Sequence, residues 1–357
     1  MKAVNYQIEM LNVGSADAFI IYFIDENNTG HLVLVDAGNY SDGQIIIDHI
    51  RKYYLNYVID LAIVTHPDDD HYGGFIKMLE KLRDKERDAV RINKFWVNDP
   101  GNNHIDKDEV KWITKQKSVN VKARSVFDLD GHGNLIDLID SILGKSAREE
   151  KFAVIYKNPL NNNLPCILSD FKFPCFKIIG PTQAYYEYLL PNFRNDALNF
   201  FEKEDDSNYN ASKDISYGDS LSKYLDDACD DTSAHNQSSL IFLFEPQNGD
   251  KYLFMGDAGR ESFNNIPPLL RNQVKNISWL KVPHHGSKHN MDSTMINWIK
   301  PKTAYISTKG IGNFLNQCTV NALKRSGCSV YSTHKENTSF LHKGIWDRDG
   351  YSTATPL

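Results

Sequence analysis

The sequence predicts a layered α/β fold, and three observations carry that reading. Apolar strand-like runs alternate with amphipathic helical ones in the first hundred residues. Several of those runs stop abruptly at clusters of Asp and His. The chain of 357 residues, 41% hydrophobic and 24% charged, is long enough to bury a sizeable core.

The elements follow in chain order. "YQIEMLNV", "DAFIIYFI" and "HLVLVDAG" read as three strands separated by "GSA" and "DENNTG", the last two as arms of a hairpin. "SDGQIIIDHIRKYYL" has helical spacing, with Ser41 expected as its N-cap. "YVIDLAIV" is a buried strand, "GGFIKMLEKLRDK" a second helix and "INKFWVND" a further strand. Residues 143–235 are expected to form an insertion within one domain spanning 1–357. It holds a strand at "FKIIGP", a helical stretch broken by Pro191, and an acidic segment from 202 to 231 that is poor in branched apolar residues. That segment is either a solvated loop or a cover over the site. Regular structure returns in "SSLIFLFEP", "KYLFMGD", "WLKVPHH", "TAYIST" and "CSVYST", with helices at "DSTMINWI" and "CTVNALKRSG". No fixed-period repeat links the two strand-rich halves.

Composition narrows the function. A net charge of −6 is not that of a strongly basic nucleic-acid binder, although a local basic groove is compatible with it. The five cysteines are odd in number and contain no C-x-x-C, which excludes a cysteine zinc knuckle and argues against a disulfide framework. No apolar run approaches the ~18 residues needed to span a bilayer, and the N-terminus shows no apolar core of a signal peptide. A cytoplasmic location is the expectation.

The chemistry gathers at strand ends. Asp36 closes one strand; His66, Asp68, Asp70 and His71 crowd into "VTHPDDDH" after another. Asp257 ends "LFMGD", and His284 and His285 end "WLKVPHH". Strand ends on one rim of a sheet converge in space, where α/β folds build their sites. Buried carboxylates are costly unless something pairs with them. Nitrogen and oxygen donors in this number suit one or two divalent ions. Taken singly, "DAG", "MGDAG" and "HHG" are ordinary turns or exposed histidines; H-x-D-x-D-H is the specific signal.

"THPDDDHYGG" resembles the H-x-H-x-D-H signature of the metallo-β-lactamase fold, with Asp68 in place of the second histidine. Together with "NVGSADAFII", "NQSSLIFLFE", "LFMGDAG" and "LKVPHHGS", it is similar to the hydrolase domain of the competence DNA-internalisation (ComEC-type) proteins. The resemblance covers about residues 1–85 and 235–335. It implies an αββα sandwich with a di-metal site along one edge. Carried over, His66 and Asp68 bind one metal, Asp70 and His71 the other, and Asp257 bridges them. One of His284 and His285 completes the second metal's ligands, and Asp36 holds the metal loop by hydrogen bonds. The fold's third motif has no clear histidine here: "AHNQSS" offers either His235 or Asn236 for that place.

The implied activity is hydrolysis by a metal-bound hydroxide, with Asp70 and His71 at the centre of catalysis. Ser287, Lys288 and Lys309 are candidates for binding phosphate oxygens. The oxygen-rich set leans from zinc toward manganese or magnesium. A nuclease or phosphodiesterase acting on nucleic acid or a small phosphodiester is the first expectation. A hydrolase of a lactone, small ester or phosphorylcholine-type ester is the alternative, as is a non-catalytic module that retains metal.

Overall fold

A computed structural model describes residues 2–102, 135–158, 161–167, 170, 172–193, 225–310, 315–336, 339–342 and 354–357. Most of the acidic segment, 202–224, lies outside the described residues.

The first half of the chain supplies β1 (Ala3–Met10), β2 (Phe19–Asp25), β3 (Gly30–Val35), β4 (Val58–Ile59), β5 (Leu61–Ile63), β6 (Arg91–Ile92), β7 (Phe95–Trp96) and β8 (Arg148–Glu149). After β9 (Ile155–Asn158) and β10 (Asn161–Ile167) come β11 (Phe176–Gly180), β12 (Ile241–Phe244), β13 (Tyr252–Phe254), β14 (Trp279–Lys281), β15 (Thr303–Ile306), β16 (Ser329–Ser332) and β17 (Phe340–His342). They form a seven-stranded sheet, β17-β1-β2-β3-β5-β7-β8, and a six-stranded sheet, β11-β12-β13-β14-β15-β16. β4–β6 and β9–β10 are two-stranded ribbons. The antiparallel hairpin β2–β3 sets Phe19 opposite Val35, and β3 runs parallel to β5 with Val35 opposite Ile63.

Alternation along the strands places the layers. Phe19, Ile21, Phe23, Val33, Val35, Leu61 and Ile63 point one way and join Phe242, Phe254 and Trp279 of the second sheet. Phe19 packs edge-on against Trp279, with ring centroids 6.1 Å apart. The residues between them, Ile20, Leu32, Leu34 and Ala62, point the other way. They pack under helix α1 (Asp42–Tyr53) through Ile46, Ile47 and Ile50, and under helix α2 (Asp69–Arg83) through Tyr72, Phe75 and Leu79. Met295, Ile296, Val320 and Leu323, from helices Ser293–Ile299 and Gln317–Arg325, join the core of the second sheet. Strands buried on both faces need apolar residues at every position, which is why these runs read as continuous. The architecture is an αββα sandwich.

Local differences from the sequence reading have physical causes. "YVIDLAIV" splits at Asp60, whose carboxylate accepts the Leu32 N–H at 2.9 Å and diverts β4 from β5. "INKFWVND" likewise divides into β6 and β7, in different sheets. Ser41 does not cap α1: its backbone is already helical (φ −63°, ψ −32°) and its hydroxyl makes no capping bond. α2 begins four residues before Gly73, so Asp70 and His71 sit in a helix's first turn rather than on a loop. Within 143–235, β8 and β11 are strands of the two main sheets, and a helix at Gln183–Leu189 precedes the turn containing Pro191.

Candidate metal centre

The site lies at the ends of β3, β5, β13 and β14, and local backbone geometry aims its side chains. Asp36 follows β3 in the left-handed region (φ 55°), and His284 (φ 47°) and His285 (φ 51°) do so after β14. Non-glycine residues avoid this region at a cost of roughly 1–2 kcal/mol each, so three of them at one rim mark a constrained site. The "GG" after His71 has a packing reason. A Cβ on Gly74 would lie 2.1 Å from the Ala37 carbonyl oxygen, and one on Gly73 would lie 2.5 Å from the Tyr40 nitrogen. Only glycines let the start of α2 lie against the loop that carries Asp36.

Asp36 ties these pieces together. Its carboxylate accepts the Thr65 N–H and the Thr65 hydroxyl, each at 2.8 Å, and His71 Nδ1 donates to it at 2.8 Å. The same logic repeats around the rim. His66 Nδ1 reaches the Thr65 hydroxyl (3.1 Å), and His285 Nδ1 donates to the Ser307 carbonyl (2.8 Å). His284 Nδ1 faces Asn290 Oδ1 (3.0 Å) and Asp231 Oδ2 (3.2 Å). Four imidazoles thus fasten Nδ1 outward, which fixes each ring and presents Nε2.

Those Nε2 atoms meet carboxylates. Asp257 Oδ2 lies 3.4 Å from His71 Nε2, 3.8 Å from His66 Nε2 and 3.9 Å from His284 Nε2. Asp70 Oδ2 is 3.0 Å from His285 Nε2, and Asp68 Oδ2 is 3.5 Å from His66 Nε2. The Nε2 atoms of His66 and His71 are buried and have no hydrogen-bond partner. His66, His71 and Asp257 offer ligand atoms all within 4.8 Å of one another, as do Asp70, His71 and His285. Orphaned, oriented nitrogen donors beside buried carboxylates fit a divalent cation. Asp17, Asp36 and His71 form a third such group, but the His71–Asp36 bond and an ion pair from Lys281 to Asp17 already knit it.

The electrostatics are those of carboxylates crowded around imidazoles. Burial opposes a charge on His71, yet Asp257, Asp70 and Asp36 outweigh it and hold its pKa well above the ordinary histidine range. Burial likewise disfavours charge on His284, but Asp257 and Asp231 push it up to about 9. Burial raises the carboxyls of Asp70 and Asp257; their histidine neighbours, with Lys281 beside Asp257, overcome it and lower both. Without a metal ion, protons on histidines supply the positive charge that the carboxylates require.

The remaining expected residues fall into two groups. His235 turns its Nδ1 to Asp68 Oδ1 (2.8 Å) and packs against Phe193. Asn236, on the short helix Ala234–Gln237, donates to Asp231 (2.8 Å) and stands behind His284. Ser287 is buried and accepts the His289 N–H (3.2 Å). Lys288 is half-buried, and Lys309 is exposed, its stem lying over Gly14. Sequence reasoning missed Asp17, Asp231, Lys281 and Asn290, all buried at this rim. A lysine inside the apolar run "WLKV" was a usable signal; Asp231, within an acidic stretch, gave none.

The two sheets, the outer helices and the strand ends rich in Asp and His agree with a match of residues 16–140 to the sequence model of the Metallo-beta-lactamase superfamily. This is a metallo-β-lactamase fold. Among solved structures, the chain is similar to a long form RNase Z from yeast, at 13% identity and a TM-score of 0.33. That likeness covers 85% of this chain and 37% of the RNase Z chain. No curated protein matches the sequence. Among the described residues no helix is long and apolar enough to cross a membrane. His66, Asp68, Asp70 and His71 stand within the matched span, at the junction of β5 and α2.

Proposed function

We propose that the protein is a metal-dependent phosphodiesterase, acting on nucleic acid or a related phosphodiester and holding two divalent ions on either side of Asp257. The observation that carries this is the convergence of three Nε2 atoms on Asp257 Oδ2, with every Nδ1 fastened outward. Asp70, His71 and His285 would hold one ion with Asp257. His66 and Asp68 would hold the other, with His284 supplying the nitrogen that His235, bonded to Asp68, does not. Bound ions would lower the pKa of a water molecule and stabilise negative charge on the phosphoryl oxygens. Asp70, kept ionised by its histidine neighbours, would accept a proton from the attacking water. Lys288 and Lys309, half-buried and exposed, would meet non-bridging oxygens; Ser287, which is buried, would act only by holding the turn after His285. The carboxylate at Asp68 favours manganese or magnesium over zinc. The ComEC-type resemblance supports a polynucleotide as substrate.

The test is a substrate panel of single- and double-stranded DNA, RNA, a chromogenic phosphodiester, a lactone and a phosphorylcholine ester, each with manganese, magnesium or zinc. Phosphodiester cleavage that chelation stops and manganese restores is expected. Turnover confined to the lactone or phosphorylcholine ester would replace this reading. Metal binding with no turnover on any substrate would leave a binding module.

A further inference from the structure

Lys281 is the last residue of β14 and is 1% exposed. Burying an ammonium is expensive unless it is paired and hydrogen-bonded, and a methionine would fill the same space without that cost. Its partners explain its presence. Nζ pairs with Asp17, donates to the Gly256 carbonyl at 2.8 Å and lies 3.3 Å from Asp257 Oδ1. Asp257 Oδ1 also accepts the His284 N–H at 3.1 Å. The two oxygens of Asp257 are therefore sorted. Oδ1 is taken by two donors from the β14 end, and Oδ2 alone faces His66, His71 and His284.

Asp17 is no passive counter-ion. It is wholly buried; its N–H donates to the Asp70 carbonyl (3.1 Å), and its own carbonyl accepts the Gly38 N–H (2.8 Å). Lys281 thus joins the second sheet, the start of α2 and the Asp36 loop at one point beneath Asp257.

We propose that Lys281 is a positioning residue that confines Asp257 to a single-oxygen bridge and thereby sets the hold on the second metal ion. The inference rests on the two-ion reading above. With Oδ1 engaged by these donors, Oδ2 would be the oxygen left to both ions. With Lys281 gone, Asp257 can turn and offer each ion a different oxygen or chelate one ion alone, and the pairing of the ions changes. A merely structural lysine would serve only to neutralise Asp17.

Double substitution separates the two roles. In Lys281→Met with Asp17→Asn, both buried charges of that pair are removed, so charge balance survives while the contact to Asp257 is lost. Manganese titration and the electron paramagnetic resonance spectrum of the loaded protein are the readouts, with thermal melting as the check of folding. The wild type should bind two ions and give the signal of a coupled pair. The double variant should bind the first ion within about threefold of wild type and the second at least about tenfold more weakly, with the coupled signal lost. Asp17→Asn alone, which keeps Lys281 on Asp257, should retain both ions and the coupled signal. Two ions bound as in the wild type, with an unchanged signal, in the double variant would overturn the proposal and leave Lys281 as the counter-ion of Asp17. If the double variant does not fold, Lys281→Leu with Asp17→Asn, which likewise brings no donor to Asp257 and strands no charge on Asp17, is read by the same two outcomes. A wild type that binds neither manganese nor zinc would instead defeat the two-ion reading itself.

Discussion

The two sides of Asp257 are built differently. On one side, His71 and His285 are wholly buried and fastened to a carboxylate and a backbone carbonyl of the core, Asp36 and Ser307. On the other, His66 is equally buried and tied to Thr65, but Asp68, about as exposed as Asp70, leans on His235 rather than on the core. There His284 depends on Asp231 and Asn290, which stand outside the sheets. The first side is held by elements that must form for the protein to fold. The second is held by a network of side chains that can change with less effect on the core. On the two-ion proposal, this difference predicts unequal hold: tight beside His71 and weaker beside His66.

The largest effect tests the tight side. Asp70→Ala should reduce turnover at saturating manganese by more than about a thousandfold, with the circular-dichroism melt nearly unchanged because Asp70 is partly exposed. His71→Ala is the poorer probe. His71 is wholly buried among Asp36, Asp70 and Asp257, and its removal strands those charges at about 3–5 kcal/mol. Wild-type rates from Asp70→Ala would remove it from catalysis.

The next effect is a pH dependence. His284 has its pKa raised from 6.5 to about 9 in the metal-free protein, so folding takes up a proton there. The sign follows: its contribution, at most about 3 kcal/mol, is complete below about pH 6.5 and disappears as pH rises through about 9. The metal-free melting temperature should therefore fall across that window. Metal affinity should rise over the same window, because a cation and a proton compete for the same nitrogen. Calorimetric titrations in buffers of differing ionisation enthalpy should detect protons released on loading near pH 7.5. Loading with no proton release at that pH would contradict the charge state assigned to His284.

Much of the centre was legible in the sequence because its donors sit in compact motifs at strand ends. His66 through His71, Asp257 and the His284–His285 pair needed only periodicity and ligand chemistry. What escaped were residues acting through another side chain. Asp17 meets Lys281, and Asp231 meets His284, only once the two sheets have closed. The phase of the short helix Ala234–Gln237, which sends His235 to Asp68 and Asn236 to Asp231, is likewise a packing outcome. Helix starts erred for a local reason: Asp68 occupies the N-cap position while giving its carboxylate to His235, so no side-chain capping bond announced α2.

His284 and His285 offer the sharper contrast, being neighbours that the proposal assigns to opposite sides. His285→Ala should cost the tight ion and His284→Ala the weak one, each by roughly 100-fold or more in affinity, a step above the 10–100-fold typical of outer-layer changes. Manganese titration with direct counting of bound ions distinguishes them. Loss of the same ion in both variants would collapse the two sides into one.

The smallest effect probes the network behind His284. Asp231 accepts from Asn236 and Asn290, each at 2.8 Å, takes the Ser233 N–H at 2.9 Å and faces His284 Nδ1. Asp231→Asn keeps the shape and most hydrogen-bonding capacity but removes the charge. A neutral amide still orients the ring less firmly, since its NH2 group and oxygen compete for Nδ1. The ring also becomes a weaker donor to a cation when no anion balances its Nδ1 proton. We expect about a tenfold loss for the weak ion, no change for the tight ion beyond about twofold, and fewer protons released on loading because His284 no longer stays charged to about pH 9. The tight ion is the internal control. Its proposed ligands His71 and His285 take their Nδ1 partners from Asp36 and Ser307, which Asp231 does not touch. Equal weakening of both ions by Asp231→Asn would show that the segment carrying Asp231 supports the whole rim, and the division at Asp257 would have to be abandoned.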